Sequence, residues 1–298
     1  MVDHTPPVNY IERTRRYYKA LGYETPYRWA SFNSVPFTHP GKPLVQSTVG
    51  IVTTAAPFDS SKGDQGPGAP YNAAAKFYSV YRLPIQPSPD LRISHVAIDR
   101  VHTTAEDPGS YLPIDALRCA AEQGKIAGIG QHVVGLPTNR SQKHTIEVDC
   151  PAVVSYMLQD EIDIAILVPN CPVCHQSVSL AARALEEAGI VTVVLGCAKD
   201  IVEHVGVPRL LFNDFPLGNA AGIPGDVACQ QGIITAALDL AETADAPRTS
   251  MQSMYQWPGK SHWKTDYSNP DKLSAEEIRR KREDFDAAKN AANVVRSS

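Results

Sequence analysis

Between residues 162 and 243 short apolar runs alternate with helical stretches, and that alternation leaves few folds open. Residues 162–168 (IDIAILV), 190–195 and 209–212 read as buried strands. Residues 177–188 with Gly189 behind them, 200–205 and 226–243 read as helices. Strands that alternate with helices predict a parallel sheet with helices on both faces. The expected fold is α/β, a doubly wound and mostly parallel sheet, built as one body or as a pseudo-duplicated pair of lobes.

The flanking chain fits around this core less regularly. Residues 8–21 have helical spacing and stop at Gly22, and residues 22–43 read as an aromatic, proline-rich arm. Residues 46–55 (QSTVGIVTTA) form the first core strand and run into a loop at 56–59, followed by a surface loop at 60–72. Residues 91–99 (LRISHVAID) look like a second strand. A helix over 112–123, a strand with a backbone-rich loop from 126, and a helix over 149–159 follow. Residues 246–271 are irregular but hold Tyr255, Trp257, Trp263 and Tyr267, which suggests an arm docked on its own domain or on a second subunit. Ser274 to Glu277 is a capping box opening a charged helix to about Val294. The expected division is an N-terminal helix and arm (1–45), a catalytic core (46–245) and a C-terminal arm and helix (246–298).

Composition excludes several functions. The chain of 298 residues is 43% hydrophobic and has a net charge of −4, with no long basic run. Nucleic acid and membrane surfaces are therefore not expected partners. No stretch approaches the length of a membrane span, and residues 1–10 carry no apolar signal core, so the expected compartment is the cytoplasm. The two terminal arms suggest a homo-oligomer, most simply a dimer.

The chemistry concentrates in Asn170-Cys171-Pro172-Val173-Cys174-His175, on the turn between a strand and a helix. Open α/β sheets bind ligands there, and a helix N-terminus offers N–H groups and partial positive charge. That environment lowers a thiol's pKa. Five readings are open. Covalent haem attachment matches C-x-x-C-H but needs export. Structural zinc needs four ligands, and no second Cys or His pair at similar spacing exists. A thioredoxin-like redox pair fits the turn, although this chain is much longer than that fold requires. A substrate-facing thiol nucleophile, with its partner thiol or His175 as base, suits the position best. Two buried, inert cysteines are the bland alternative.

Other candidates occupy strand ends. Cys197 ends the next strand and could face the same crevice. His95 falls inside an expected strand and reads as core, whereas His102 and His132 lie near strand ends. Asn213 and Asp214 follow the strand at 209–212, and Thr53, Thr54 and Asp59 follow the first strand, where polar substrate contacts collect. The expected catalytic set is Cys171, Cys174, His175 and Cys197. The expected substrate-binding set is Thr53, Thr54, Asp59, His102, Asn170, Asn213 and Asp214. No G-x-G-x-x-G pattern is present, and neither cofactor nor metal is expected. Arg100, Arg118 and Arg140 could each meet a substrate carboxylate.

Asp99-Arg100-Val101-His102, residues 117–130, 167–176, 193–197 and 208–226 (PRLLFNDFPLGNAAGIPGD) together resemble the glycine/sarcosine/betaine reductase component B and D-proline reductase family. In that family the turn carries selenocysteine or cysteine and cleaves a carbon–heteroatom bond with thiols as electron donors. The resemblance implies Cys171 as the reactive chalcogen, Cys174 as its neighbour, and a fold related to two-lobed racemase-like domains. Here the turn holds only cysteines, and a thiol is a weaker reductant than a selenol. The expected activity is accordingly non-reductive. A cysteine-dependent desulfhydrase would release hydrogen sulfide from a small cyclic thio-compound, such as the thiohydantoin propionate of ergothioneine breakdown. The thiolate would attack the thiocarbonyl carbon, and water activated by His175, His102 or Asp214 would release the oxo product. The alternatives are a thiol-dependent reductase and a two-cysteine racemase.

Overall fold

The structure, a computed structural model, describes residues 5–93, 95–259 and 261–297, with side chains described for all of these except 288 and 291–297. The first four residues of the polar N-terminal stretch lie outside this set. The chain builds a mixed α/β fold around one sheet of seven strands, in the order β3-β5-β1-β6-β7-β8-β9. These are β1 (Thr48–Thr53), β3 (Tyr81–Pro84), β5 (Gly128–Gly135), β6 (Ile164–Val168), β7 (Val191–Gly196), β8 (Arg209–Phe212) and β9 (Thr249–Gln252). All neighbours are parallel except β3, which runs antiparallel on the β5 edge. A separate ladder joins β2 (Ala56–Pro57) to β4 (Leu91–Arg92). The sheet is continuous, so the two-lobed arrangement is not seen.

All five residues of β6 are buried. An uninterrupted apolar run is what a central parallel strand needs, because helices cover both of its faces. The alternation of side chains then divides the core. Ile164, Ile166, Val193 and Leu195 pack on one face against α2 (Ile114–Glu122) and α7 (Val227–Thr243). Ala165, Leu167 and Val194 pack on the other against α4 (Cys150–Gln159), α5 (Pro172–Glu187) and α6 (Lys199–Val205). A three-residue helix, α3 (Gln142–His144), feeds α4 through a π-turn. The terminal helices are α1 (Tyr10–Ala20), α8 (His262–Asp266) and α9 (Ala275–Ser297).

The arm between α1 and β1 covers the outer side of α5. Ala30 donates its N–H to Gln176 Oε1 at 2.8 Å, and the Thr38 hydroxyl donates to the Glu186 carbonyl at 2.7 Å. This cover explains why α5 is buried on nearly every side despite Gln176, Ser177 and Ser179. The C-terminal segment docks on its own domain. Lys264 pairs with Asp214, and the Tyr267 hydroxyl donates to the Ala97 carbonyl at 2.9 Å.

Two expectations change. Residues 91–99 form a strand only at Leu91–Arg92, and Ser94 lies outside the described residues. The rest is irregular backbone held by Arg100, which donates to the carbonyls of Ala69 and His95. Residues 249–252, read as irregular, form the edge strand β9. Ile93 and Ile98 do reach the core, but from a loop, and apolar content alone does not make a ladder.

Candidate active site

The strand order reverses direction between β1 and β6. From β1 the chain builds outward to β5, then returns to β6 and builds the other way. Loops leaving the carboxyl ends of two such strands diverge, and the gap between them is where a doubly wound sheet holds its ligand. Thr53 and Thr54 leave β1 there, and Asn170 and Cys171 leave β6.

Cys171 is the N-cap of α5. Its Sγ accepts from the Cys174 N–H at 3.4 Å, and Pro172 takes the first helical position, where its missing N–H costs nothing. One turn later Cys174 brings its own sulfur to 2.8 Å from Cys171 Sγ. Both thiols are free and buried, Cys171 at 4% exposure and Cys174 at 0%. Two sulfurs this close cannot both be charged, and the pair shares one proton. Burial pushes Cys174 up, but hydrogen bonds from the Cys171 thiol, His95 and the Thr138 hydroxyl outweigh it and hold Cys174 well below the ordinary thiol range. Burial and the neighbouring Cys174 hold Cys171 well above it. These neighbours favour a thiolate on Cys174 over one on Cys171.

His95, which the sequence assigns to the core, and Thr138, which it does not single out as a site residue, complete the cluster. Thr138 Oγ1 lies 3.1 Å from Cys174 Sγ and 3.2 Å from His95 Nε2, so its hydroxyl can pass a proton between them. His95 Nδ1 is buried and meets no partner among the described residues. Thr138 sits past the carboxyl end of β5, a position that could have marked it. His95 was hidden because its segment mimics a strand.

The same three residues, His95, Cys171 and Cys174, offer metal-ligand atoms within 4.8 Å of one another. Two thiolates on a tetrahedral zinc ion stand about 3.8 Å apart. The sulfurs stand closer together than that, at 2.8 Å, so this geometry favours sulfur–sulfur chemistry over ligation.

The other candidates divide clearly. Asn170 donates its backbone N–H and its Nδ2 to Thr54 Oγ1, both at 3.1 Å, leaving its buried Oδ1 without a protein partner. Thr54 thus ties the ends of β1 and β6 together. The Thr53 hydroxyl closes a local turn by accepting from the Ala55 N–H. His175 does not face the sulfurs. Its Nδ1–H donates to the Cys171 carbonyl at 2.8 Å, and its Nε2 accepts from the N–H groups of Cys197 and Ala198. Both nitrogens are spent on backbone, and burial pulls its pKa to about 4, so the ring is a neutral staple between α5 and the end of β7.

Cys197 is buried beside Asp214, and burial pushes its pKa up. Asp214 is paired with Lys264. Asn213 donates to the Ala220 carbonyl at 2.7 Å and keeps a buried Oδ1 without a protein partner, fixing the loop through which Gly218 turns with φ 109°. His102 is held between Asp99 at 3.0 Å and Asp266 at 3.5 Å. Asp59 caps a short turn at Ser60–Lys62 and borders a surface hollow with Phe58 and Phe77. The structure therefore gathers Cys171, Cys174, Asn170 and Thr54, whereas Asp59, His102 and Asp214 make their contacts elsewhere.

Burial raises the pKa of both Tyr18 and Tyr27. Both hydroxyls sense the charges of Arg140 and Cys171. Gln176 Nε2 donates to the Tyr27 hydroxyl at 2.8 Å.

No family model matches the chain, and no solved structure matches it. Among curated proteins it is 29% identical over 212 residues to the D-proline reductase subunit gamma of Acetoanaerobium sticklandii, covering 68% of this chain and 84% of that protein. The likeness is a distant one, to a protein named as a reductase subunit. It lends no support to sulfide release. No helix among the described residues is long and apolar enough to cross a membrane.

Proposed function

We propose that the protein is a thiol-dependent reductase that cleaves a carbon–heteroatom bond in a small amino-acid-derived compound, using Cys171 and Cys174 as a working dithiol. The observation that carries this reading is the buried sulfur pair, 2.8 Å apart on a helix N-terminus at the sheet's switch point. Likeness to a proline reductase subunit supports the same direction. The residues expected to activate water in the hydrolytic alternative do not face the thiols. His175 is spent on backbone, and His102 and Asp214 are engaged elsewhere. Asp59 and Cys197 have no part in the proposed reaction, and Asn213 shapes a neighbouring loop.

The steps balance as follows. Cys174 takes the Cys171 proton, leaving a thiolate on Cys171. That thiolate attacks the substrate carbon. A carbon–sulfur bond forms, and the heteroatom leaves with the bonding pair and takes the proton from Cys174. Cys174, again a thiolate, attacks Cys171 Sγ. A disulfide forms, and the carbon leaves with the electron pair and takes a proton. The substrate has gained two electrons and the dithiol has lost two. An external dithiol or a dithiol protein then reduces the disulfide. The relative is named as a subunit, which makes a partner chain a natural source of those electrons.

The test incubates reduced protein with D-proline, betaine and thiohydantoin propionate under limiting dithiothreitol. Consumption of one dithiol per product supports the reading. Sulfide release without thiol consumption would replace it with the desulfhydrase. Exchange of the α-hydrogen alone would replace it with a racemase.

A further inference from the structure

Among the described residues, one set of metal-ligating atoms converges: those of His95, Cys171 and Cys174, all within 4.8 Å of one another. They come from separate parts of the chain. Cys171 caps α5, Cys174 stands one turn along it, and His95 lies on the irregular backbone after β4. Two sulfurs and an imidazole with a fourth position open make a donor set that zinc accepts. Thiolates select zinc and softer ions over magnesium and calcium.

The pair at rest is too close to hold a cation, at 2.8 Å where a tetrahedral zinc ion needs about 3.8 Å. Opening it asks little of the backbone. The backbone N–H that Cys171 Sγ accepts from, that of Cys174, is 3.4 Å away. A turn of about 30° about χ1, which side chains tolerate, moves a sulfur by about 0.9 Å. His95 stands outside the sheets. Its Nε2 meets Thr138 Oγ1 at 3.2 Å, whereas its Nδ1 is buried without a partner among the described residues. The ring thus has one nitrogen for a cation and one for a hydroxyl, the arrangement that orients a metal-bound histidine.

Charge argues the same way. Two buried sulfurs cannot both be thiolates on their own, but a dication neutralises both. No carboxylate belongs to the cluster, so the loaded site carries no net charge, as its burial requires. One zinc ion enters, the proton shared by the pair leaves to solvent, and two zinc–sulfur bonds form with no change of oxidation state.

We propose that His95, Cys171 and Cys174 form an inhibitory zinc site, in which the cation holds the reduced pair open and takes both sulfurs out of reaction. Zinc and the disulfide exclude each other, since each consumes the same two sulfurs. The site needs only the reduced pair, whichever bond that pair goes on to cleave.

Reduced protein, freed of reductant, is titrated with cobalt(II) and then with zinc. Cobalt should give a thiolate-to-metal charge-transfer band with the strong visible bands of a tetrahedral ion, and one equivalent of zinc should bleach them. Cys174→Ser should leave about half of the charge-transfer band, one thiolate in place of two. His95→Gln should keep the band but weaken zinc by about ten-fold or more in competition with a coloured chelator, and Thr138→Val should weaken it less. Wild-type protein oxidised to the Cys171–Cys174 disulfide should bind neither ion and recover both on reduction, an arm that needs no variant. One equivalent of zinc should also stop alkylation of both cysteines by iodoacetamide, and a chelator should restore it. Absence of the band, or equal zinc affinity in His95→Gln, would overturn the three-ligand site. Alkylation that bound zinc leaves unchanged would overturn the inhibition. A protein that passes these tests but consumes no dithiol with any substrate loses the reductase reading and keeps the zinc site.

Discussion

His175 is a neutral ring in a place that cannot admit a charge, and this makes it a source of acid sensitivity. Its folded pKa of about 4 lies below the ordinary histidine value of about 6.5. The unfolded chain therefore binds the extra proton first as pH falls from 6.5 to 4. Stability contributed by this group is complete above pH 6.5 and is lost over that window, by about 3 kcal/mol. The buried acids Asp99, Asp149, Asp200 and Glu186 are all pushed up by burial and act in the opposite sense. Comparing urea midpoints of the wild type and His175→Gln between pH 7 and 4 isolates the histidine, and the variant should show a shallower fall. Cys171 and Cys174 divide the reaction between them. Cys171→Ser should abolish turnover, whereas Cys174→Ser should stop at a thioether adduct visible by intact mass. The turn itself was legible in the sequence, because a strand, a proline at N1 and a helix flank it. His95 was not, because its role depends on a loop brought in from another part of the chain.

The arm over α5 and the β3 edge are held by a few buried contacts. Glu186 on α5 pairs with Arg209 on β8 at 2.8 Å, both fully buried. Arg209 also reaches the Thr38 carbonyl at 2.7 Å and lies over the Phe37 ring. Arg209→Ala strands the Glu186 carboxylate and releases the arm, and should cost about 3–5 kcal/mol in urea denaturation. Replacing both partners, Glu186→Leu with Arg209→Met, should cost less than the single change. On the opposite edge, a Cβ at Gly135 would stand 1.9 Å from the Tyr81 ring, and the Tyr81 hydroxyl bonds the Ala55 carbonyl. Gly135→Ala should therefore destabilise by about 1–3 kcal/mol and loosen β3. The central strands were readable because burial on both faces demands an unbroken apolar run. The edge strands β3 and β9 were not, because an edge needs only alternate burial and both carry polar residues.

Helix α1 meets both α8 and α9. Arg13 on α1 donates to the carbonyls of Lys264 and Tyr267, and Lys264 Nζ donates to the Thr5 carbonyl. Phe285 on α9 lies 5.3 Å from the rings of both Tyr18 and Tyr23. A chain truncated after Leu273 loses that cover. It should react faster with iodoacetamide at Cys171 while keeping its thermal transition within a few degrees. The α/β class and the parallel core were visible in the strand–helix alternation, but the single continuous sheet was not, since alternation does not count sheets. These docked ends also set an order of assembly. During synthesis the strands and the thiol turn leave the ribosome well before Lys264 and Tyr267 do. Until those residues emerge, the nascent chain presents a reactive sulfur pair with part of its wall missing. The interval before they emerge is therefore the one in which cellular oxidants reach the pair most easily.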